Sequence, residues 1–233
     1  MIKRKRNLQS LFKHIPIVPI GLVPSVRILG ISLDSRQVQP GMLFAAIKGE
    51  NADGFDYIPQ ALAAGAVAVM SDRPAPEGLP VPYLQVEGDP RRAVAYLAAA
   101  LHDFPARKLR MIGVTGTDGK TTTTAMIYHI MRSAGIQAGM ISTVSACIGD
   151  EVLDTGFHVT TPEAPDVQDY LDQMVQAGLT HCVLETTSHG LAQGRVIACD
   201  FDVAVVTNVT HEHLDSTALT KITLRPKGCF LKA

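Results

Sequence analysis

Apolar residues in this chain fall into short unbroken runs with no two-residue alternation, and the runs take turns with longer stretches of helical period. In the first half, the patterning predicts strands over 28–33, 43–47, 67–70 and 83–86. Helices are predicted over 57–64, ended by Gly65, and over 90–102, where Asp89 caps and Pro90 takes the first position. The second half repeats the theme. Strands are predicted over 109–114, 139–144, 181–186 and 201–208, and helices over 121–134 and 163–177, closed by Gly135 and Gly178. Continuous apolar strands joined through helices imply an α/β fold with parallel sheets buried on both faces. Phe104 to Lys108 reads as a linker, giving two domains, 1–105 and 106–233.

The strongest chemical signal lies where the strand over 109–114 meets the helix from 121. The segment Gly113-Val-Thr-Gly-Thr-Asp-Gly-Lys-Thr-Thr-Thr-Thr124 has the strand, glycine turn, Lys-Thr and helix layout of a phosphate-binding loop. Glycines let backbone N–H groups close on a phosphate, and the helix N-terminus adds partial positive charge. Lys120 would reach the β- and γ-phosphates of a nucleoside triphosphate, and the Thr121 hydroxyl would hold Mg²⁺. The loop is a variant, with Val114 where the strict pattern has its first glycine and Gly116 taking that part.

Other polar clusters also follow strands, where ligands of parallel sheets bind: 160–161, 185–195 and 208–215. Glu185, at the end of an apolar strand, suits a Mg²⁺ ligand, or a helix-capping or surface carboxylate. His211 and His213 could be a zinc fragment, but no third ligand follows at suitable spacing, and a structural or solvated role is equally open for His213. Asp34-Ser-Arg36 and Thr160-Thr161 offer polar groups to a ligand or serve as turns and caps. Gln193 and Arg195 could grip an anionic substrate or belong to a surface loop.

Bulk composition narrows the class. Apolar residues make up 46% of 233, enough for real cores, and the net charge of −1 supplies no field for nucleic acid or acidic membranes. The four cysteines are far apart, with no C-x-x-C pair, which argues against zinc or a disulfide framework and fits a reducing cytoplasm. Basic residues 3–6 followed by apolar 15–26 mimic a signal peptide, but Pro16, Pro19 and Pro24 interrupt the run, so a ragged domain start is expected. No stretch reaches the roughly 18 unbroken apolar residues of a membrane span.

The set of motifs resembles the Mur ligases, and among them the MurE type. The motifs are Asp34-Ser-Arg-x-Val-x-Pro-Gly-x-Leu-Phe44 with Asp53-Gly54, the loop 113–122, Thr160-Thr-Pro-Glu-Ala-Pro165, the run 185–196 and the run 207–215. The resemblance implies a small N-terminal uridine-binding domain and a phosphate-loop domain that binds ATP. It implies an ATP-dependent amide ligase that adds the third amino acid to UDP-N-acetylmuramoyl-L-Ala-D-Glu: the carboxylate takes the γ-phosphoryl group, and the amine then attacks the acyl phosphate. Carried over position by position, Leu33, Ser35, Glu50, Asn51 and Ala52 would face the UDP part. Gly116, Thr117, Asp118, Gly119, Lys120, Thr121 and Thr122 would hold ATP. Thr160, Thr161, Thr187, Gln193 and Arg195 would hold the muramoyl-dipeptide. Thr121, Glu185 and His213 would serve Mg²⁺, and Lys227, if carbamoylated, a second ion. Lys120, Glu185, His213 and Lys227 form the implied catalytic set.

Departures set further expectations. Asp118 stands where an Asn is usual, and after Asp215 the likeness collapses, with Pro226 placed to break a helix just before Lys227. The expectation is a truncated ligase, with the central sheet incomplete and the C-terminal domain absent, that binds nucleotide weakly and does not ligate, as a cytoplasmic monomer. Two alternatives are a fragment that binds UDP-MurNAc-peptide and ATP without catalysis, and a folylpolyglutamate-synthase-like ligase. The Asp34-Ser-Arg36 region disfavours the second.

Overall fold

The structure, a computed structural model, describes residues 5–49, 52–154 and 161–209. The chain divides into two compact units, Met1–Asp103 and Phe104–Ala233.

The first unit contains β1 (Arg6–Asn7), α1 (Leu8–Phe12), β2 (Pro19–Ile20), β3 (Arg27–Ile28), β4 (Gly30–Ser32), β5 (Met42–Ala45), α2 (Ile58–Ala63), β6 (Ala68–Ser71), β7 (Tyr83–Val86) and α3 (Pro90–Leu101). Its five-stranded sheet runs β2-β7-β6-β5-β4, parallel from β4 to β7, with β2 added antiparallel at the edge. Successive residues of a strand serve opposite faces. Phe44 and Val69 join Ile58 and Ala61 of α2 in one cluster, while Leu43, Met70 and Leu84 are buried among the remaining core residues. The alanines of α3 let it lie close to the sheet, and Ala93, Ala95, Ala98 and Ala99 are almost wholly buried.

The strand expected over 28–33 is broken at Leu29. Ile28 pairs with Arg6 in a two-stranded ribbon, whereas Gly30 opens the register with Met42. Leu29 N–H meanwhile turns to Gly41 C=O at 2.8 Å. The N-terminal segment also folds further than its patterning suggests. Leu8, Leu11, Phe12 and Ile15 are buried, and Arg6 forms a two-pronged ion pair with Asp103.

The second unit contains β8 (Arg110–Thr115), α4 (Lys120–Ser133), β9 (Ala138–Ile141), β10 (Ser145–Ile148), β11 (Glu151–Asp154), α5 (Ala164–Gln176), β12 (His181–Glu185), α6 (Ser188–Ala192) and β13 (Val203–Val206). The sheet order is β11-β10-β9-β12-β8-β13. The four strands from β9 to β13 are parallel, as their apolar runs require. The wholly parallel sheet expected from the sequence is corrected at one edge, where β10 and β11 form an antiparallel hairpin around Gly149-Asp150. A Gly-Asp pair between two strand-like runs is a hairpin signal, and Gly149 takes the φ of +63° such a turn needs. The strand expected over 139–144 stops at Ile141, because Ser142 Oγ accepts from the amides of Val144 and Ser145 and turns the chain. The expected linker at 104–108 is a 3₁₀ turn, Pro105–Lys108, that buries Pro105 and Ala106.

Both faces of this sheet are covered. Val167, Leu171 and Met174 of α5 pack with Met111, Ile141, Cys182 and Leu184, while Tyr128 of α4 packs with Val114, Met140 and Val183. At Gly139 a Cβ would lie 2.7 Å from Met174 Sδ, so this glycine lets α5 approach β9. Burial pushes the thiols of Cys182 and Cys199 upward, which leaves them inert. Among the described residues no helix is long and apolar enough to cross a membrane.

Asp202 fastens the start of β13 to β8. Its Oδ2 accepts Met111 N–H at 2.8 Å and its Oδ1 accepts Arg110 Nη1–H at 2.9 Å. The amide first, and the guanidinium second, hold its carboxyl below the usual carboxylate range. With the folded pKa depressed, the stabilisation is full above the unfolded value of about 4 and is lost as pH falls through the folded one. Asp202→Asn is therefore expected to flatten the rise in stability with pH below about pH 4. Urea unfolding of both forms at stepped acid pH would measure this, and parallel slopes would count against it.

Candidate functional site

The loop from Gly116 to Gly119 joins β8 to α4 at the carboxyl end of the second unit's sheet. Gly119 precedes the helix in a left-handed conformation, φ +76°. The first helical backbone bond is Thr123 N–H to Gly119 C=O, 2.9 Å. The amides of Gly119, Lys120, Thr121 and Thr122 therefore have no acceptor within the helix, and they form the N-terminal donor set that attracts anions. Lys120 folds over the loop, its Nζ donating to Thr117 C=O at 2.8 Å and to Gly116 C=O at 3.2 Å. Those carbonyls hold the ammonium beside the loop without neutralising it.

Glu185, the last residue of β12, lies beside this helix start and is 1% exposed. Thr121 Oγ1 donates to its Oε1 at 2.8 Å, and Thr143 N–H donates to its Oε2 at 3.0 Å. The capping alternative is excluded, because the carboxylate accepts from a side chain of α4 and from a turn amide and caps no helix of its own. A hydroxyl and a carboxylate oxygen 2.8 Å apart beside a glycine turn at a helix start are hard oxygen donors of the kind Mg²⁺ takes alongside waters and phosphate. They fit that ion. A self-sufficient protein cage does not exist among the described residues, where no three His, Cys, Asp or Glu cluster.

A second polar cluster follows directly from Glu185. Thr161 is fully buried; its Oγ1 accepts Thr187 N–H at 3.1 Å and lies 3.4 Å from Thr187 Oγ1. Thr187 caps the short α6 by accepting Gly190 N–H at 2.9 Å. Gly190 has to be small, since a Cβ there would lie 2.8 Å from Thr161 Cβ. Arg195 ties the cluster together. Its Nη1 donates to Thr161 C=O at 2.6 Å, its Nε and Nη2 to Gln193 Oε1 at 3.0 and 2.6 Å, and its Nη2 pairs with Glu163 at 2.8 Å. The sequence offered Arg195 as a fork for an anion. In the fold the fork is turned inward and 9% exposed, so it reaches a ligand only by exchanging one of these partners.

In the first unit, Leu33 and Ser35 follow β4 and Ala52 lies in the turn after β5, both at the carboxyl end of that sheet. Ser35 Oγ donates to Gln60 Oε1 at 2.9 Å, Leu33 is half-buried and Ala52 is exposed. Asp34 caps the next turn through Arg36 N–H and binds the Arg36 guanidinium, which holds its carboxyl below the usual range. Gly54 presses against Ile47, where a Cβ would lie 2.6 Å from the Ile47 carbonyl oxygen. Glu50, Asn51, Thr160, His213 and Lys227 lie outside the described residues.

The structure thus brings Lys120, Thr121 and Glu185 into one site and places Thr161, Thr187, Gln193 and Arg195 beside it through the run 185–187. Sequence reasoning missed Thr143, Glu163 and Asn208 as partners of these residues. Thr143 falls inside the run 139–144 that reads as a strand, so the sequence carried no signal for it; the strand ends earlier, at Ile141.

Residues 114–221 match the Mur ligase middle domain, and residues 27–106 match the catalytic domain of the Mur ligase family. The chain is 45% identical over 213 residues to a UDP-N-acetylmuramyl-tripeptide synthetase from Roseiflexus sp. (strain RS-1), covering 90% of this chain and 42% of that protein. It is 44% identical over 209 residues to a UDP-N-acetylmuramoyl-L-alanyl-D-glutamate–2,6-diaminopimelate ligase from Geobacillus thermodenitrificans (strain NG80-2), covering 90% and 42%. A solved structure of a UDP-N-acetylmuramoyl-L-alanyl-D-glutamate–2,6-diaminopimelate ligase superposes with a TM-score of 0.77 at 30% identity, over 96% of this chain and 44% of that one. The chain therefore spans about two fifths of the length of these relatives.

Proposed function

This chain belongs to the Mur ligase family, and from that premise we propose that it carries the substrate-binding and ATP-binding portions of a MurE-type ligase. Such a ligase adds the third amino acid to UDP-N-acetylmuramoyl-L-Ala-D-Glu in the cytoplasm through an acyl phosphate. Residues 1–105 take the UDP part, with Leu33, Ser35 and Ala52 facing it, and residues 106–233 take ATP. The carrying observation is the buried Glu185 carboxylate 2.8 Å from the Thr121 hydroxyl at the head of α4.

In this reading the amides of Gly119 to Thr122 bind the phosphate tail, and Lys120 leaves its two carbonyls to meet the γ-phosphate. Thr121 and Glu185 would hold Mg²⁺, whose chemistry is to neutralise charge on the transferring phosphoryl group. Thr161, Thr187 and Gln193 would hold the muramoyl-dipeptide. Arg195 keeps the Thr161–Glu163 turn in place for it.

Isothermal titration of the chain with Mg²⁺ and a nonhydrolysable ATP analogue, and separately with UDP-N-acetylmuramoyl-L-Ala-D-Glu, tests the assignment. Saturable one-site binding of both is the expected result, and absence of nucleotide binding overturns it. Phosphate release with ATP and the second ligand then separates a catalytic chain from a binding one.

A further inference from the structure

Two residues just past β13 hold the phosphate loop from the side. Thr117 and Asp118 both donate their amides to Asn208 Oδ1, at 3.0 and 2.9 Å, and Thr117 N–H is shared with Asn208 C=O at 3.1 Å. Thr207 grips the same stretch by its carbonyls: Oγ1 donates to Asp118 C=O at 2.6 Å, and its amide donates to Thr115 C=O at 2.9 Å. Gly116 lies between, at φ +154°, where a Cβ would fall 1.9 Å from Thr207 Oγ1. The loop reaches Thr207 and Asn208 only because residue 116 has no side chain.

Consecutive amides turned toward one point make an anion nest. In this loop the amides of Thr117 and Asp118 already converge on a neutral amide oxygen. The donors at the start of α4, together with Lys120, remain for a phosphate. We propose that Thr207 and Asn208 are positioning residues of the phosphate loop. They hold its crest against β13, confine phosphate contact to the helix start, and fix both peptide groups of Asp118, an exposed carboxylate that would otherwise be free to swing across an anionic ligand. The inference rests on the reading that this loop binds a triphosphate.

The test uses the 233-residue chain with Mg²⁺ and a nonhydrolysable ATP analogue, comparing Asn208→Ala, Thr207→Val and Thr207→Ser. Valine copies the shape of threonine without the donor, and serine keeps the hydroxyl. Loss of the Thr207 hydroxyl's bond to Asp118 C=O corresponds to an affinity drop of about tenfold for Thr207→Val, and loss of both amide bonds to Asn208 Oδ1 to a drop of at least about tenfold for Asn208→Ala. Thr207→Ser is expected to bind like the parent. Hydrogen exchange should quicken at Thr117 and Asp118 in Asn208→Ala and stay slow across β8. If the parent chain fails to bind, the nucleotide reading falls. If the parent and both weakened variants bind alike, the positioning inference alone falls. It falls equally if exchange quickens throughout β8, since the pair would then only support the fold.

Discussion

Glu185→Gln is expected to lower affinity for the magnesium–nucleotide complex by roughly 30- to 150-fold, the equivalent of the roughly 2–3 kcal/mol that a charge-assisted contact contributes. The substitution should leave the fold intact. A glutamine can set its Oε1 against Thr143 N–H and donate from Nε2 to the Thr121 hydroxyl, which rotates to accept. Both contacts that Glu185 makes at 3.0 and 2.8 Å thus have neutral replacements. What disappears is the negative charge beside the helix start. Affinity for nucleotide without the metal should change little or improve, because a carboxylate no longer faces the phosphates. Titrations with and without Mg²⁺ separate these effects. An equal loss in both would show that Glu185 supports the loop and does not serve the ion.

Gly116→Val should remove nucleotide binding altogether. The added Cβ would meet Thr207 Oγ1 at 1.9 Å, with Asn208 N and O both at 3.1 Å, and backbone atoms cannot rotate away. The loop has to leave β13 or the end of β13 has to leave the sheet. Gly119→Ala is the informative contrast. At φ +76° it carries the left-handed strain of about 1–2 kcal/mol, but nothing lies within 4 Å of its Cβ. It should lower stability modestly and keep measurable binding. Thermal unfolding and titration of the two variants decide the matter, and comparable binding by both would contradict the close approach described here.

Much of this molecule was legible along the chain. The apolar runs of β5, β6, β8 and β12 are buried on both faces, and such a strand needs nothing from a distant partner to be recognised. Capping residues worked for the same reason: Asp89 bonds Arg91 N–H two residues on, a contact local enough to be written in the sequence. The strand, glycine turn and helix around residues 113–124 were legible because that pattern sits in consecutive residues.

What failed was short or decided from far away. The strand over 28–33 looked continuous, but Leu29 answers to Gly41, so the break depends on a neighbour twelve residues on. The hairpin of β10 and β11 escaped because its runs of four residues are too short for a period to emerge.

The sequence by itself determined the two α/β units, the loop and the identities of Lys120, Thr121 and Glu185, because strand burial and loop chemistry are properties of contiguous residues. Only the tertiary structure decided that Glu185 meets the Thr121 hydroxyl, that Arg195 spends its fork on Thr161, Glu163 and Gln193, and that Asn208 takes the amides of Thr117 and Asp118. Those contacts join residues up to 91 positions apart, and it is sheet register that brings their ends together.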